Sequence, residues 1–90
     1  MPLFTLLMDF KGGTYIRQVS ASTPSSACME WAKNLDTSEI YGLGVKDKNY
    51  LIEKMKNEVP VPINETTNTW CASALVWGNL ILVTIIQTEQ

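Results

Sequence analysis

Residues Trp70 to Thr88 read WCASALVWGNLILVTIIQT, and the interpretation of this run decides the fold. It is the longest apolar stretch in the chain, and no charged side chain interrupts Trp70 to Ile86. Val83, Thr84, Ile85 and Ile86 are β-branched and suit a pleated, half-buried surface, while Gly78-Asn79 breaks the run in its middle. The stretch therefore predicts two strands, Trp70 to Val76 and Leu80 to Thr88, joined by a tight turn across Trp77-Gly78-Asn79. A membrane span is the competing interpretation, because the length approaches the roughly 20 residues that cross a bilayer. It would place Gly78-Asn79 at mid-bilayer, where an amide side chain has no water to bond, and Ala72, Ser73 and Ala74 dilute its apolar character. Strands are the better account, and no membrane association is expected.

A second hairpin opens the chain. Leu3 to Phe10 puts Phe4, Leu6, Met8 and Phe10 on one side of an extended strand, and Lys11-Gly12-Gly13 supplies the positive φ that a hairpin turn needs. Thr14 to Ala21 returns with neither face strongly apolar, as an edge strand would. Thr23 followed by Pro24 marks a helix start that runs to about Leu35, with Ala27, Cys28, Trp31 and Leu35 as its buried stripe and Trp31 as anchor. Asp36-Thr37-Ser38 ends it, and Glu39 to Val45 forms a short extended piece with two glycine bends. Asp47 caps a second helix from about Lys48 to Asn57, in which Leu51 and Met55 lie one turn apart. Val59-Pro60-Val61-Pro62-Ile63 cannot continue that helix and reads as a stiff connector, with Asn64 to Thr69 a polar loop.

The expected fold class is thus α+β: a four-stranded, mainly antiparallel sheet of two hairpins in ββααββ order, with two helices packed on one face. Strand order is left open. The layout is similar in outline to the small ββαββ domains of HicB-type antitoxins, in which a glycine-bearing hairpin precedes one helix. Those domains typically carry an Asp-Leu-Pro-Gly-like turn where this chain has Ala21-Ser22-Thr23-Pro24, so no family membership is drawn from the outline.

At 90 residues the chain suits one domain, residues 1–90, and 46% hydrophobic against 18% charged composition is that of a folded core, not a disordered segment. A net charge of −2 and a pI near 4.9 supply no general attraction to nucleic acid or an anionic bilayer. MPLFTLLMDF has neither a basic leader nor a small-residue cleavage site, so the compartment expected is cytoplasmic. Two cysteines, Cys28 and Cys71, are too few for a disulfide framework and too far apart for a CxxC element. Both sit in apolar segments and are expected to be reduced, buried small side chains.

Histidine is absent, which removes the commonest general base at neutral pH, the usual partner of a Ser or Cys nucleophile and a frequent metal ligand. The acids Asp9, Glu30, Asp36, Glu39 and Glu53 are scattered, and Gly12-Gly13 and Gly42-Leu43-Gly44 lack the context of a phosphate loop. No catalytic residue, cofactor or metal site is expected, and the chain reads as a non-enzyme. Lys46, Lys48, Lys54 and Lys56 are candidate phosphate contacts, although Asp47, Glu53 and Glu58 interleave them as on an ordinary solvated helix.

The more informative feature is surplus apolar surface. In the first strand Leu3 and Leu7 oppose Phe4, Leu6 and Met8; in the last, Leu80, Leu82, Thr84 and Ile86 oppose Ile81, Val83 and Ile85. Two helices cover one side of a sheet, so a second apolar side calls for another cover, most simply a second copy of the chain or a different protein partner. Tyr15, Trp70 and Trp77 are the aromatic candidates for such a contact. The function expected is a small non-enzymatic protein-binding domain, of the kind found in bacterial accessory, immunity, antitoxin or inhibitor proteins, self-associating as a homodimer through an apolar sheet face. Weak nucleic-acid or regulatory binding through the Lys46–Lys56 helix, and a small enzyme or ligand carrier with a helix–sheet pocket, are the alternatives.

Overall fold

The computed structural model describes residues 1–89. The chain runs β1 (Leu3–Phe10), β2 (Gly13–Ser20), α1 (Pro24–Lys33), α2 (Val45–Asn57), β3 (Val61–Pro62), β4 (Thr69–Val76) and β5 (Asn79–Glu89), with a 3-10 turn at Thr37–Glu39 between the helices. Both hairpins form, and both close on two residues in the left-handed region: Lys11 and Gly12 at φ 48° and 81°, Trp77 and Gly78 at φ 53° and 80°. Two consecutive left-handed residues give the primed turn whose twist matches that of the flanking strands.

The sheet is antiparallel and has five strands in the order β2-β1-β5-β4-β3, one more than the four expected. The extra strand lies in the proline segment whose sequence reads as a connector. Val61 and Pro62 pair with Cys71 and Trp70 at the outer edge, where a residue needs to bond on only one side, so the missing proline amide costs no ladder contact. β1 and β5 lie side by side at the centre. The segment from β2 to β3 must therefore cross from one edge of the sheet to the other, and the helices lie along that crossing. α1 packs against β2, β1 and β5, α2 packs against β4, and the two helices touch each other.

Register sorts the side chains into two layers. Phe4, Leu6, Met8 and Phe10 of β1 share the helix side with Val19, with Ile81, Val83 and Ile85 of β5, and with Ala72, Ala74 and Val76 of β4, and all are buried. Trp31, Ala27, Cys28 and Ala32 of α1 and Leu51 and Met55 of α2 close the core from above, so Trp31 is the anchor its spacing implied. The turn between the helices adds Leu35, Ile40 and Leu43.

α1 begins as its sequence indicates. The Thr23 Oγ1 accepts from the Ser26 amide at 3.1 Å and the Ser26 Oγ accepts from the Thr23 amide at 3.0 Å, which satisfies two otherwise orphaned donors. α2 begins at Val45, three residues before the predicted start, with Gly44 in the cap position. Asp47 is not the cap but lies in the first turn, where its Oδ2 accepts from the Gly44 amide at 2.8 Å. The carboxylate still meets the positive end of the helix, from inside it. The stretch before it is a 3-10 turn and bends, not the extended piece anticipated.

Candidate interaction surface

The side of the sheet away from the helices is open. Its rows follow from the register: Ile16, Leu7, Thr84, Cys71 and Val61 in one line, Thr14, Asp9, Leu82 and Ser73 in the next, Gln18, Thr5, Ile86 and Thr69 on the other flank, and Leu75 beside Leu80 at the hairpin end. Ile16, Val61, Leu75, Leu80 and Leu82 are 62%, 58%, 58%, 52% and 45% exposed, while Leu3, Leu7 and Ile86 are half-buried by their neighbours. Leu75, Leu80 and Leu82 cluster toward the β4–β5 hairpin end, while Ile16 and Val61 stand at opposite edges of the sheet.

Several polar side chains on this face are bonded to one another. Gln18 Nε2 donates to Thr5 Oγ1 at 3.0 Å, Thr5 Oγ1 donates to Thr88 Oγ1 at 3.1 Å, Thr88 Oγ1 donates to the Leu3 carbonyl at 3.2 Å, and Thr14 Oγ1 donates to Asp9 Oδ1 at 2.8 Å. A polar group already paired within its own surface loses less when a partner displaces water from it. Asp9 is the one acid in the inner rows of this face, and its carboxylate is already engaged by Thr14.

The three aromatic candidates sit elsewhere. Tyr15 and Trp70 are half-buried against the core on the helix side, Trp70 with its ring 6.1 Å from that of Phe4. Trp77 is exposed at the hairpin tip, but its ring turns toward α2 and stacks on Tyr50 at 5.1 Å and 23° between planes. Lys54 Nζ lies 5.3 Å above the Tyr50 ring. The apolar side chains of the open face are therefore aliphatic and not aromatic, interspersed with Thr5, Asp9, Thr14, Gln18, Ser73 and Thr84. Alternation in β1 and β5 revealed it, whereas the position of the aromatics depended on which side the helices cover.

The four candidate lysines are spread around α2. Lys46, Lys48, Lys54 and Lys56 fall at roughly 0°, 200°, 80° and 280° about an axis with 3.6 residues per turn, so no single side presents them together. Lys54 faces Tyr50, and Lys56 Nζ is bonded to Glu53 at 2.8 Å.

Between the edge strand β2 and the α1 to 3-10 segment lies a cleft of about 260 Å³. Tyr15 and Arg17 form one wall, Trp31, Leu35 and Ile40 the other, and Asp36 and Glu39 stand at the rim. Arg17 Nη2 reaches Glu39 Oε2 at 3.5 Å, from a partly exposed side chain to a well-exposed one. Asp36 caps the 3-10 turn: its Oδ1 accepts from the Ser38 hydroxyl at 2.6 Å and the Ser38 amide at 3.0 Å, and these bonds hold its carboxyl below the usual aspartate range.

The two cysteines lie on opposite sides of the sheet. Cys28 is buried under α1, and desolvation, aided by the negative charge of Glu58, pushes its thiol up to about 12. Cys71 is exposed on the open face beside Thr84 and Val61, contrary to the expectation that both would be buried. Its neighbours in sequence are apolar, but it occupies the out-facing phase of β4. The sheet itself separates the two thiols.

Among the described residues no helix is long and apolar enough to cross a membrane, and the Trp70 to Ile86 run is the β4–β5 hairpin. No group of three or more metal-ligating side chains gathers among them. Comparison with protein-family models, with curated proteins and with solved structures finds no match for this chain.

Proposed function

We propose that this chain is a non-enzymatic binding module that pairs with a second copy of itself through the open face of its sheet, as an accessory protein of the immunity, antitoxin or inhibitor kind. The observation that carries the reading is a face of exposed aliphatic side chains on which Gln18 with Thr5 and Thr14 with Asp9 are already hydrogen-bonded in pairs. Such a face loses water readily and gains little from staying wet. The four long strands, about 4.8 Å apart and paired over about eight residues at about 3.4 Å each, offer roughly 500 Å² before side-chain relief, so two copies would hide on the order of 1,000 Å², the lower limit for a biological interface. Sheets packed face to face with their strands nearly aligned are a common way to bury such a surface.

The test is sedimentation equilibrium at two protein and two salt concentrations. Aliphatic pairing predicts a dimer mass that is insensitive to salt, since no ion pair holds it. A monomer throughout the concentration range overturns the reading.

A further inference from the structure

The two edges of the sheet are finished differently. β3 is two residues long, preceded by Pro60 and containing Pro62, and such an edge offers little backbone to another strand. β2 is eight residues long, without proline and without a break in its register to β1. Phe10 and Gly13 flank the two-residue turn as a hydrogen-bonded pair, so Gly13, Tyr15, Arg17 and Val19 exchange bonds with β1. The backbone groups of Thr14, Ile16 and Gln18 then point outward. No turn, loop or cap takes them up among the described residues.

Beside this bare edge lies the cleft walled by Trp31, Leu35 and Ile40. Among the side chains that line it, Asp36 and Glu39 stand against Arg17, one negative charge in excess; Lys48, outside the lining, acts on Asp36 more weakly than Arg17 does. The Arg17–Glu39 contact is long, at 3.5 Å, and solvent-exposed, so an incoming cation can replace it at small cost.

We infer that the β2 edge and this cleft form a docking groove for an extended, basic peptide segment of a partner protein, which adds to the sheet as a sixth strand. Main-chain bonds to Thr14, Ile16 and Gln18 hold the segment. Alternate side chains then fall over the cleft, where a lysine or arginine lays its stem along the apolar wall and its charge at Asp36 and Glu39, and beside Ile16, where an aliphatic residue fits. A second copy is the poorer occupant. Pairing β2 with β2 across a two-fold axis would bring a second Asp36–Glu39 rim to the same seam, negative against negative. The outward main-chain groups lie at the edge of the sheet and the cleft on its helix side, and only the Ile16 contact falls on the open face, so the inference does not require that the face pair.

The probe is an acetylated, amidated octapeptide of alternating lysine and valine, read by amide hydrogen exchange. Exchange at Thr14, Ile16 and Gln18 should slow at least tenfold with saturating peptide. A glutamate–valine peptide of equal length should leave it unchanged, and N-methylation of alternate peptide amides should abolish the effect. Replacing Asp36→Asn together with Glu39→Gln should weaken the lysine peptide at least fivefold; the glutamate–valine peptide tests the same charge dependence without altering the protein. No slowing at these amides, equal slowing by the glutamate peptide, or slowing that grows with protein concentration in the absence of peptide would each overturn the inference.

Discussion

Leu82 is the most direct test of the open face. It sits in the central strand β5 between Asp9 of β1 and Ser73 of β4, points away from the core and is 45% exposed. Full burial of a leucine side chain contributes about 1.5–3 kcal/mol, so hiding the exposed part contributes about 1 kcal/mol per copy. A symmetric pair buries it twice, and Leu82→Ala should therefore lose about 2 kcal/mol of association, roughly a 30-fold weaker Kd. Leu82→Asp should weaken it further, because a carboxylate would enter the seam next to Asp9 with no cation in its row. Sedimentation equilibrium over a hundredfold concentration range reads both changes. Circular dichroism and the melting curve of the separated chain serve as the fold control; they should change little, since the substituted side chain faces water there. Identical dissociation constants for wild type, Leu82→Ala and Leu82→Asp would refute the argument that this face is the seam.

Other outcomes follow from the same geometry. In the folded monomer Cys71 should react with a maleimide within minutes while Cys28 stays unlabelled until unfolding, and face pairing should slow Cys71, as thiol titration with mass spectrometry will show. The unfolded chain releases the Cys28 proton near the ordinary thiol value of 9.0, whereas the folded chain holds it to about 12. The unfolded state thus binds fewer protons in that window, and stability should fall as pH rises above 9.0, approaching about 1.4 kcal/mol per pH unit; urea titrations should find that Cys28→Ala removes this slope. For the hairpin tip, a double-mutant cycle of Tyr50→Ala and Trp77→Ala should return a coupling of about 0.5–1.5 kcal/mol, and a value near zero would mean that the stack contributes nothing to anchoring β4–β5 on α2.

Much of this molecule is written locally. Period-two alternation in Phe4 to Phe10, the glycines at 12 and 78 and the Thr23-Pro24 start identify both hairpins and α1 from neighbours within a few residues, because turn and cap chemistry acts over that range. The apolar surplus was legible for the same reason: Leu7 and Leu82 are out of phase with residues that must be inside. The start of α2 was less legible, since glycine at the cap gives a weaker signal than the aspartate three residues later.

What only the tertiary structure decided depends on contacts distant in sequence. That β1 lies against β5, and that Val61–Pro62 supplies a fifth strand, are consequences of which ladders close, and no local pattern encodes them. Once the helices cover one side, the same phase rule places Tyr15 and Trp70 inward and Cys71 outward, so each assignment waited on the choice of side. The asymmetry of the edges emerged in the same way. Whether β2 and β3 end the sheet or lie within it depends on strand order, and strand order results from the chain's long-range hydrophobic closure rather than from any one of its segments.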